Sequence, residues 1–232
     1  MPAKRRITSL LLEAGKLDAM RFSLFLSGLF LMLLTACSDT EKIVVKNDEG
    51  VVTEIYYRNK ENYAREGTYQ SFYPNEQVAE NANYKNDTLH GTRTLFYEDG
   101  QVQIEENYEH GQFQGPYRSF YSDGTLEVEG NYEENSMEGP WKRYYPNGQL
   151  MEVVAFSANQ ENGPFVEYYE NGQLKAEGAY LEGDFEHGLL KLYDETGTLV
   201  RKMECQRGVC QTIWTAEEGE VVPKALDLPP KE

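Results

Sequence analysis

Basic residues are scarce in this sequence: 22 Lys and Arg stand against 39 Asp and Glu, for a net charge of −17. A chain so poor in cations cannot displace counterions from phosphates, which excludes a nucleic-acid partner. Tryptophan occurs twice, histidine and cysteine three times each, against 17 Tyr and 10 Phe. An acidic chain this rich in tyrosine is folded, not a disordered tail, and its charge reads first as a solvated face. There is no HExxH, P-loop, nucleophile elbow or Gly-rich dinucleotide fingerprint. No metal, cofactor or catalytic role is therefore expected. Glu127, Glu129, Glu133, Glu134 and Glu138 include pairs, but carboxylates are too numerous for pairing to carry weight.

Long hydrophobic runs are also short supply. Phe22 to Leu34, FSLFLSGLFLMLL, holds thirteen uncharged residues behind Arg21. That is too short to span a bilayer comfortably and the right length for the apolar core of a signal peptide. Leu34-Thr35-Ala36-Cys37 follows and resembles a bacterial lipobox. The resemblance implies cleavage before Cys37, a diacylglyceryl group on its thiol, and an anchor that more than one acyl chain makes stable. Residues 1–36 are then a signal peptide. Glu13 and Asp18 suit that role poorly, so translation is expected to start at Met20. Ser38-Asp39-Thr40-Glu41 is either an ordinary polar tether or, by resemblance to Bacteroidetes lipoproteins, a surface-export signal. The expected location is the cell envelope, on the outer membrane, with residues 37–47 as a polar tether.

The rest of the chain repeats. Gly67, Gly91, Gly115, Gly139 and Gly163 lie 24 residues apart, and Gly188 follows after a one-residue insertion. The second to fifth units open GTRTLFYEDGQV, GPYRSFYSDGTL, GPWKRYYPNGQL and GPFVEYYENGQL. Each reads as a β-hairpin. Paired aromatics lead into Asp99-Gly100, Asp123-Gly124, Asn147-Gly148 or Asn171-Gly172, and Val102, Leu126, Leu150 or Leu174 follows. Asp-Gly and Asn-Gly fit two-residue type I′ turns. Such turns would set Tyr97 opposite Val102 and Tyr145 opposite Leu150. The second strand closes on Tyr84, Tyr108, Tyr132, Phe156 or Tyr180. Because side chains alternate, the two adjoining aromatics of a pair face opposite sides. Glu76 replaces the turn glycine of the first unit, which predicts a different turn. Ser157-Ala158-Asn159-Gln160 lacks glycine and suggests a bend, and Asp194 replaces the second aromatic of the sixth unit.

The pattern G-x-W/Y-x-x-Y-Y-x-N/D-G-x-L, clearest from Gly139 to Leu150, resembles the MORN repeat in the bacterial variant of YwqK-type antitoxin-like proteins. The resemblance covers about residues 67–210. It implies an all-β, elongated, single-layer antiparallel meander of stacked hairpins, used for membrane association, protein binding or scaffolding. The array is expected over 67–214, behind a degenerate capping unit at 48–66 and ahead of an acidic tail at 215–232, in about a dozen strands.

Cys205-Gln206-Arg207-Gly208-Val209-Cys210 places two cysteines across an Arg-Gly turn, and in an oxidising compartment they are expected to form a disulfide. A redox pair is the alternative. His90 and His110 are expected about two strands apart, so the histidines form no site. Tyr73, Tyr97, Tyr121, Tyr145 and Tyr169 repeat in one column and are the candidate binding strip for a protein or glycan, or else the packing core of the repeat. The sequence therefore points to a lipid-anchored envelope binding or scaffold protein. Neutralisation of a toxin or effector is the alternative, and an enzyme the remote third.

Overall fold

The computed structural model describes residues 39–222, and every regular element there is a β-strand. The expected signal peptide, the expected start at Met20, the expected lipidation at Cys37 and the tail beyond residue 222 lie outside the described residues. The strands are β1 (Thr40–Lys46), β2 (Val52–Asn59), β3 (Arg65–Phe72), β4 (Val78–Lys85), β5 (Thr88–Leu89), β6 (Gly91–Phe96), β7 (Val102–Glu109), β8 (Gln112–Phe113) and β9 (Gly115–Phe120). They continue as β10 (Leu126–Glu133), β11 (Ser136–Tyr144), β12 (Leu150–Ser157), β13 (Gln160–Tyr168), β14 (Leu174–Tyr180), β15 (Gly188–Tyr193), β16 (Leu199–Gln206), β17 (Val209–Thr215) and β18 (Gly219–Glu220). Except for β5 with β6 and β8 with β9, each pairs antiparallel with the next, giving one open meander. Where Gly91 and Gly115 interrupt a strand, β4 pairs with both β5 and β6, and β7 with both β8 and β9.

Two boundaries differ from the sequence reading. Residues 40–46, assigned to a tether, form β1, because Ile43-Val44-Val45 has the β-branched character of a strand and pairs along β2. Gly219 and Glu220, assigned to the tail, add a two-residue strand on Trp214 and Thr215.

The turns are exchanged relative to expectation. At the Asp-Gly and Asn-Gly turns only the glycine has positive φ, for example Gly100 at 87° and Gly148 at 82°. Gly100 donates to the Tyr97 carbonyl and Tyr97 donates to the Gln101 carbonyl, at 2.9 and 2.8 Å. This is a type I turn closed by a G1 bulge, a three-residue loop. The extra residue shifts the register: Phe96, not Tyr97, faces Val102, and Tyr144, not Tyr145, faces Leu150. Asx hydrogen bonds select this turn, since Asp99 Oδ1 accepts from the Gln101 N–H and Asn147 Oδ1 from the Gln149 N–H. Glu76 forms the same turn with φ 66°, so the first unit is not an exception.

The type I′ turns sit at the other end of the hairpins, where both central residues have positive φ: Asn86-Asp87, His110-Gly111, Glu134-Asn135, Ala158-Asn159 and Arg207-Gly208. Ser157-Ala158-Asn159-Gln160 is thus an ordinary member of the series rather than a bend. The one-residue insertion before Gly188 widens the corresponding loop instead, with the Leu181 N–H reaching the Phe185 carbonyl.

Alternation along paired strands divides the sheet into two faces. One carries Tyr69, Tyr117, Trp141 and Phe165 with their cross-strand partners Ala82, Gly130, Val154 and Gly178. The buried apolar side chains Ala82, Trp141, Val154, Phe165, Ala176 and Cys205 all lie on this face. The opposite face is polar along its middle row, where Gln70, Asn81, Thr94, Glu105, Arg118, Glu129 and Lys142 follow one another across the strands.

Candidate binding face

The aromatic face grows out of a size rule. An aromatic two residues after the unit glycine lies over a small partner on the next strand: Tyr69 over Ala82, Tyr117 over Gly130, Phe165 over Gly178. The aromatic closing the second strand then packs edge-on or stacked against it, with Tyr69–Tyr84 at 5.7 Å, Tyr117–Tyr132 at 5.9 Å and Phe165–Tyr180 at 4.4 Å between centroids. Neighbouring units join through Tyr132–Trp141 at 5.0 Å and Phe113–Tyr132 at 4.9 Å. Ring pairs in these geometries add about 0.5–1.5 kcal/mol each beyond burial. The result is a ribbon of rings running across the strands from Tyr108 to Phe156.

On the β6 side of Tyr108 the row of rings is interrupted. Arg93 occupies the aromatic position of the second unit, and its registered partner is Glu106 instead of a small residue. Arg93 Nε donates to Glu80 at 2.7 Å and Nη1 to Glu106 at 3.1 Å, while the Tyr108 hydroxyl also donates to Glu106 at 2.9 Å. Burial, reinforced by Glu106, pushes the Tyr108 phenol up to about 12. The charged pair is therefore an internal substitution for the aromatic and small pair, matched at both positions.

Two depressions open on this face. One, of about 240 Å³, has Tyr117, Tyr132, Trp141 and Phe156 among its walls, with Arg143, Glu152 and Glu161 providing charge. Arg143 pairs with Glu152 at 3.3 Å. Burial first, then Asp184 and Glu152, hold the Glu161 carboxyl above the usual range. The other, of about 430 Å³, includes Phe165, Tyr180, Leu190, Glu167 and Glu186. There, burial followed by Glu161 and Glu167 pushes the Tyr180 phenol up to about 12. An aromatic floor with a few polar groups is the composition of a recognition surface.

The five tyrosines of the sequence-predicted strip lie elsewhere, at the turn edge, and each is half-buried. Their hydroxyls donate one unit onward: Tyr73 to the Phe96 carbonyl, Tyr97 to Phe120, Tyr121 to Tyr144, Tyr145 to Tyr168 and Tyr169 to Tyr193, at 2.6–2.9 Å. They form a ladder that ties unit to unit. A second ladder runs along the other edge. There the N–H of the second turn residue donates to a carbonyl of the preceding unit, as from Asp87 to Arg65, Asn135 to Phe113 and Asn159 to Met137. The side chains of Asp87, Asn135 and Asn159 return the bond by accepting the N–H of those same residues.

Cys205 and Cys210 face each other directly across β16 and β17 and are joined, with 4.0 Å between their Cα atoms. Cys205 is fully buried. His90 and His110 are closer than their strand count suggests, with ring centroids 5.5 Å apart. The type I′ turn at His110-Gly111 folds its first residue back over the preceding unit, which the strand-spacing estimate missed. Among the described residues no cluster of three or more His, Cys, Asp or Glu side chains is placed to hold a metal ion.

Sequence reasoning picked out the tyrosine column from its regularity and overlooked the ribbon around Trp141. The available signal was the pairing of an aromatic two residues after the glycine with a small residue thirteen positions on, and of Arg93 with Glu106.

The family pattern of the MORN repeat variant matches residues 65–86, 89–110, 113–134, 137–156 and 161–182. The chain carries five MORN-variant repeats. Each match begins before the unit glycine and ends in or just past the second strand, so the family boundaries coincide with the type I′ edge. MORN-variant arrays are repeat-based binding and scaffolding units and generally not catalysts. The β15–β16 hairpin and the β1–β2 hairpin extend the MORN-variant sheet on either side of the five matches. No curated protein matches the chain.

Proposed function

We propose that this chain is a lipid-anchored cell-envelope protein that uses its MORN-variant array as a non-catalytic binding or scaffold surface for a protein or glycan partner. The observation that carries the reading is the aromatic face: one layer of sheet, with half-buried Tyr117, Tyr132 and Phe156 around the buried Trp141 on a side that no second layer covers among the described residues. The Leu34-Thr35-Ala36-Cys37 motif supports attachment through Cys37, on the outer membrane. The tyrosine column is the less suitable contact surface, because its hydroxyls are committed to neighbouring carbonyls.

The test has two parts. Membrane fractionation of the wild-type chain and a Cys37→Ser variant should show the wild type with membranes and the variant released. Affinity capture with the full chain from envelope and culture fractions should then yield a near-stoichiometric partner, lost on Tyr132→Ala and retained by Tyr145→Phe. Recovery of a secreted toxin would select a neutralising role, and a glycan or envelope component a scaffold. Equal membrane association of both forms would refute the anchor.

A further inference from the structure

The polar face of the sheet is not uniform from end to end. Alternation in β1 and β2 puts Lys42, Val44 and Lys46 on this face beside Ile55 and Tyr57, with Lys42 directly opposite Tyr57 and Val44 opposite Ile55. Val44 and Tyr57 are exposed, at 46% and 37%. The carboxylates on the strands of the same hairpin point the other way: Glu41 pairs with Arg58 at 2.8 Å, and Glu54 lies opposite Ser71 on the aromatic side, while Asp48 and Glu49 sit in the connecting turn beyond the strand ends. The row then continues through Gln70, Asn81 and Thr94, all neutral, and Lys85 projects from the end of β4. Glu66 on β3 is turned onto the Asn86 N–H at the turn edge, 3.0 Å away. Among the described residues the first carboxylate in this row is Glu105 on β7, which already has Arg118 at 3.8 Å. In a chain with 39 acidic residues, the strands β1–β6 thus present one face bearing lysines, exposed Tyr and Val, and no free carboxylate, the remaining acids lying in the turns.

The position of this face along the chain gives it a partner. Cys37 precedes Thr40, the first residue of β1, by three residues, a reach of at most about 10–11 Å even when fully extended. Resting on the reading of Cys37 as the lipid anchor, this holds the β1–β2 hairpin within the depth of the headgroup layer. At that distance, close to a Debye length, the negative remainder of the protein is repelled from anionic headgroups. The carboxylate-free face is the one that can approach. Tyrosine and lysine suit such a boundary, with the ring at headgroup level and the ammonium reaching phosphate. We propose that the face formed by Lys42, Val44, Lys46, Tyr57 and Lys85 lies against the phosphate headgroups of the bilayer that holds the anchor. This orientation turns the far units, with their aromatic face, toward solvent and partner.

Lysine footprinting of the full-length protein tests it. The chain is extracted from bacterial membranes and placed in phosphatidylglycerol–phosphatidylcholine vesicles or in detergent micelles, acetylated briefly and read by peptide mass spectrometry. Lys42, Lys46 and Lys85 should label about fivefold more slowly in vesicles, with the difference removed by high salt and with Lys175 and Lys202 unchanged. Lys85 is the decisive residue. It stands three strand spacings, about 14 Å, from β1, so tethering at Cys37 alone does not shield it. Uniform labelling of all five lysines overturns the proposal. The mass of the N-terminal peptide reports acylation separately: an acylated peptide with uniform labelling refutes this face alone, and protection without acylation supports the face while refuting the anchor.

Discussion

Gly130 is the position where the packing of the aromatic face can be measured. A Cβ placed on Gly130 runs into the Trp141 indole, whose ring lies over the glycine from the next strand. Gly130 has an ordinary negative φ, unlike the turn glycines, so the effect of Gly130→Ala is steric and not conformational. Overpacking of this kind costs about 1–3 kcal/mol, or roughly 3–10 °C in Tm for a chain of this size. Alanine would otherwise be favoured over glycine in a strand by about 0.5–1 kcal/mol. In a Trp141→Leu background the obstruction is gone, and Gly130→Ala should become neutral or stabilising. A double-mutant cycle by urea denaturation, followed by circular dichroism, should therefore show a coupling of about 1–3 kcal/mol. Equal costs in both backgrounds would refute the claim that the indole occupies the space above Gly130. Stabilisation in the wild-type background would refute it outright.

Four further outcomes follow from the same geometry. Tyr145→Phe removes one phenol from the turn-edge ladder and should cost about 1 kcal/mol, read as a lower urea midpoint with unchanged slope; no shift would deny the ladder a stabilising role. Arg93→Met leaves Glu106, only 7% exposed, without its guanidinium and should cost about 3 kcal/mol or more, whereas Arg93→Tyr with Glu106→Ala, the pairing already present at Tyr69 and Ala82, should recover most of it in thermal melts. Reduction of Cys205–Cys210 opens a short loop worth about 2 kcal/mol, and hydrogen exchange should speed up in β16 and β17 but not in β9 or β10. Hydrogen bonds from Lys142 and then Tyr144 hold the Glu129 carboxyl below the usual range, as Lys191 and Tyr193 do for Glu177. Their contribution is present above the ordinary carboxylate pKa and lost as pH falls through the depressed values, so the urea midpoint should drop on acidification below about pH 4.5, less steeply in a Glu129→Gln variant.

The period of the fold was legible because its signals are local. Gly67 to Gly163 recur every 24 residues, and an aromatic, turn and aliphatic sequence within each unit is enough to call a hairpin. Turn type was not legible. Asn147-Gly148 is compatible with both a two-residue I′ turn and a type I turn with a bulge, and the choice is made by the Asx bond to Gln149. That one-residue difference moved Leu150 from Tyr145 to Tyr144. Conversely, Ala158-Asn159 carries no glycine yet forms a type I′ turn, because Asn159 tolerates positive φ and accepts the Met137 N–H. The aromatic ribbon depends on which side of the sheet each residue takes and on contacts between units, as with Tyr132 and Trp141. Neither is encoded within a single repeat. The tyrosine column looked like a surface for the same reason: its hydroxyl acceptors lie 23 or 24 residues away.

The central claim is that the aromatic face receives the partner. Photo-crosslinking in living cells tests it most directly, with a benzoylphenylalanine placed at Tyr132 on that face or at Val153 on the opposite one, which faces Lys142 across the strands. The account predicts a discrete crosslinked species from Tyr132 and none from Val153. Crosslinks of equal yield from both positions, or from Val153 alone, would contradict it.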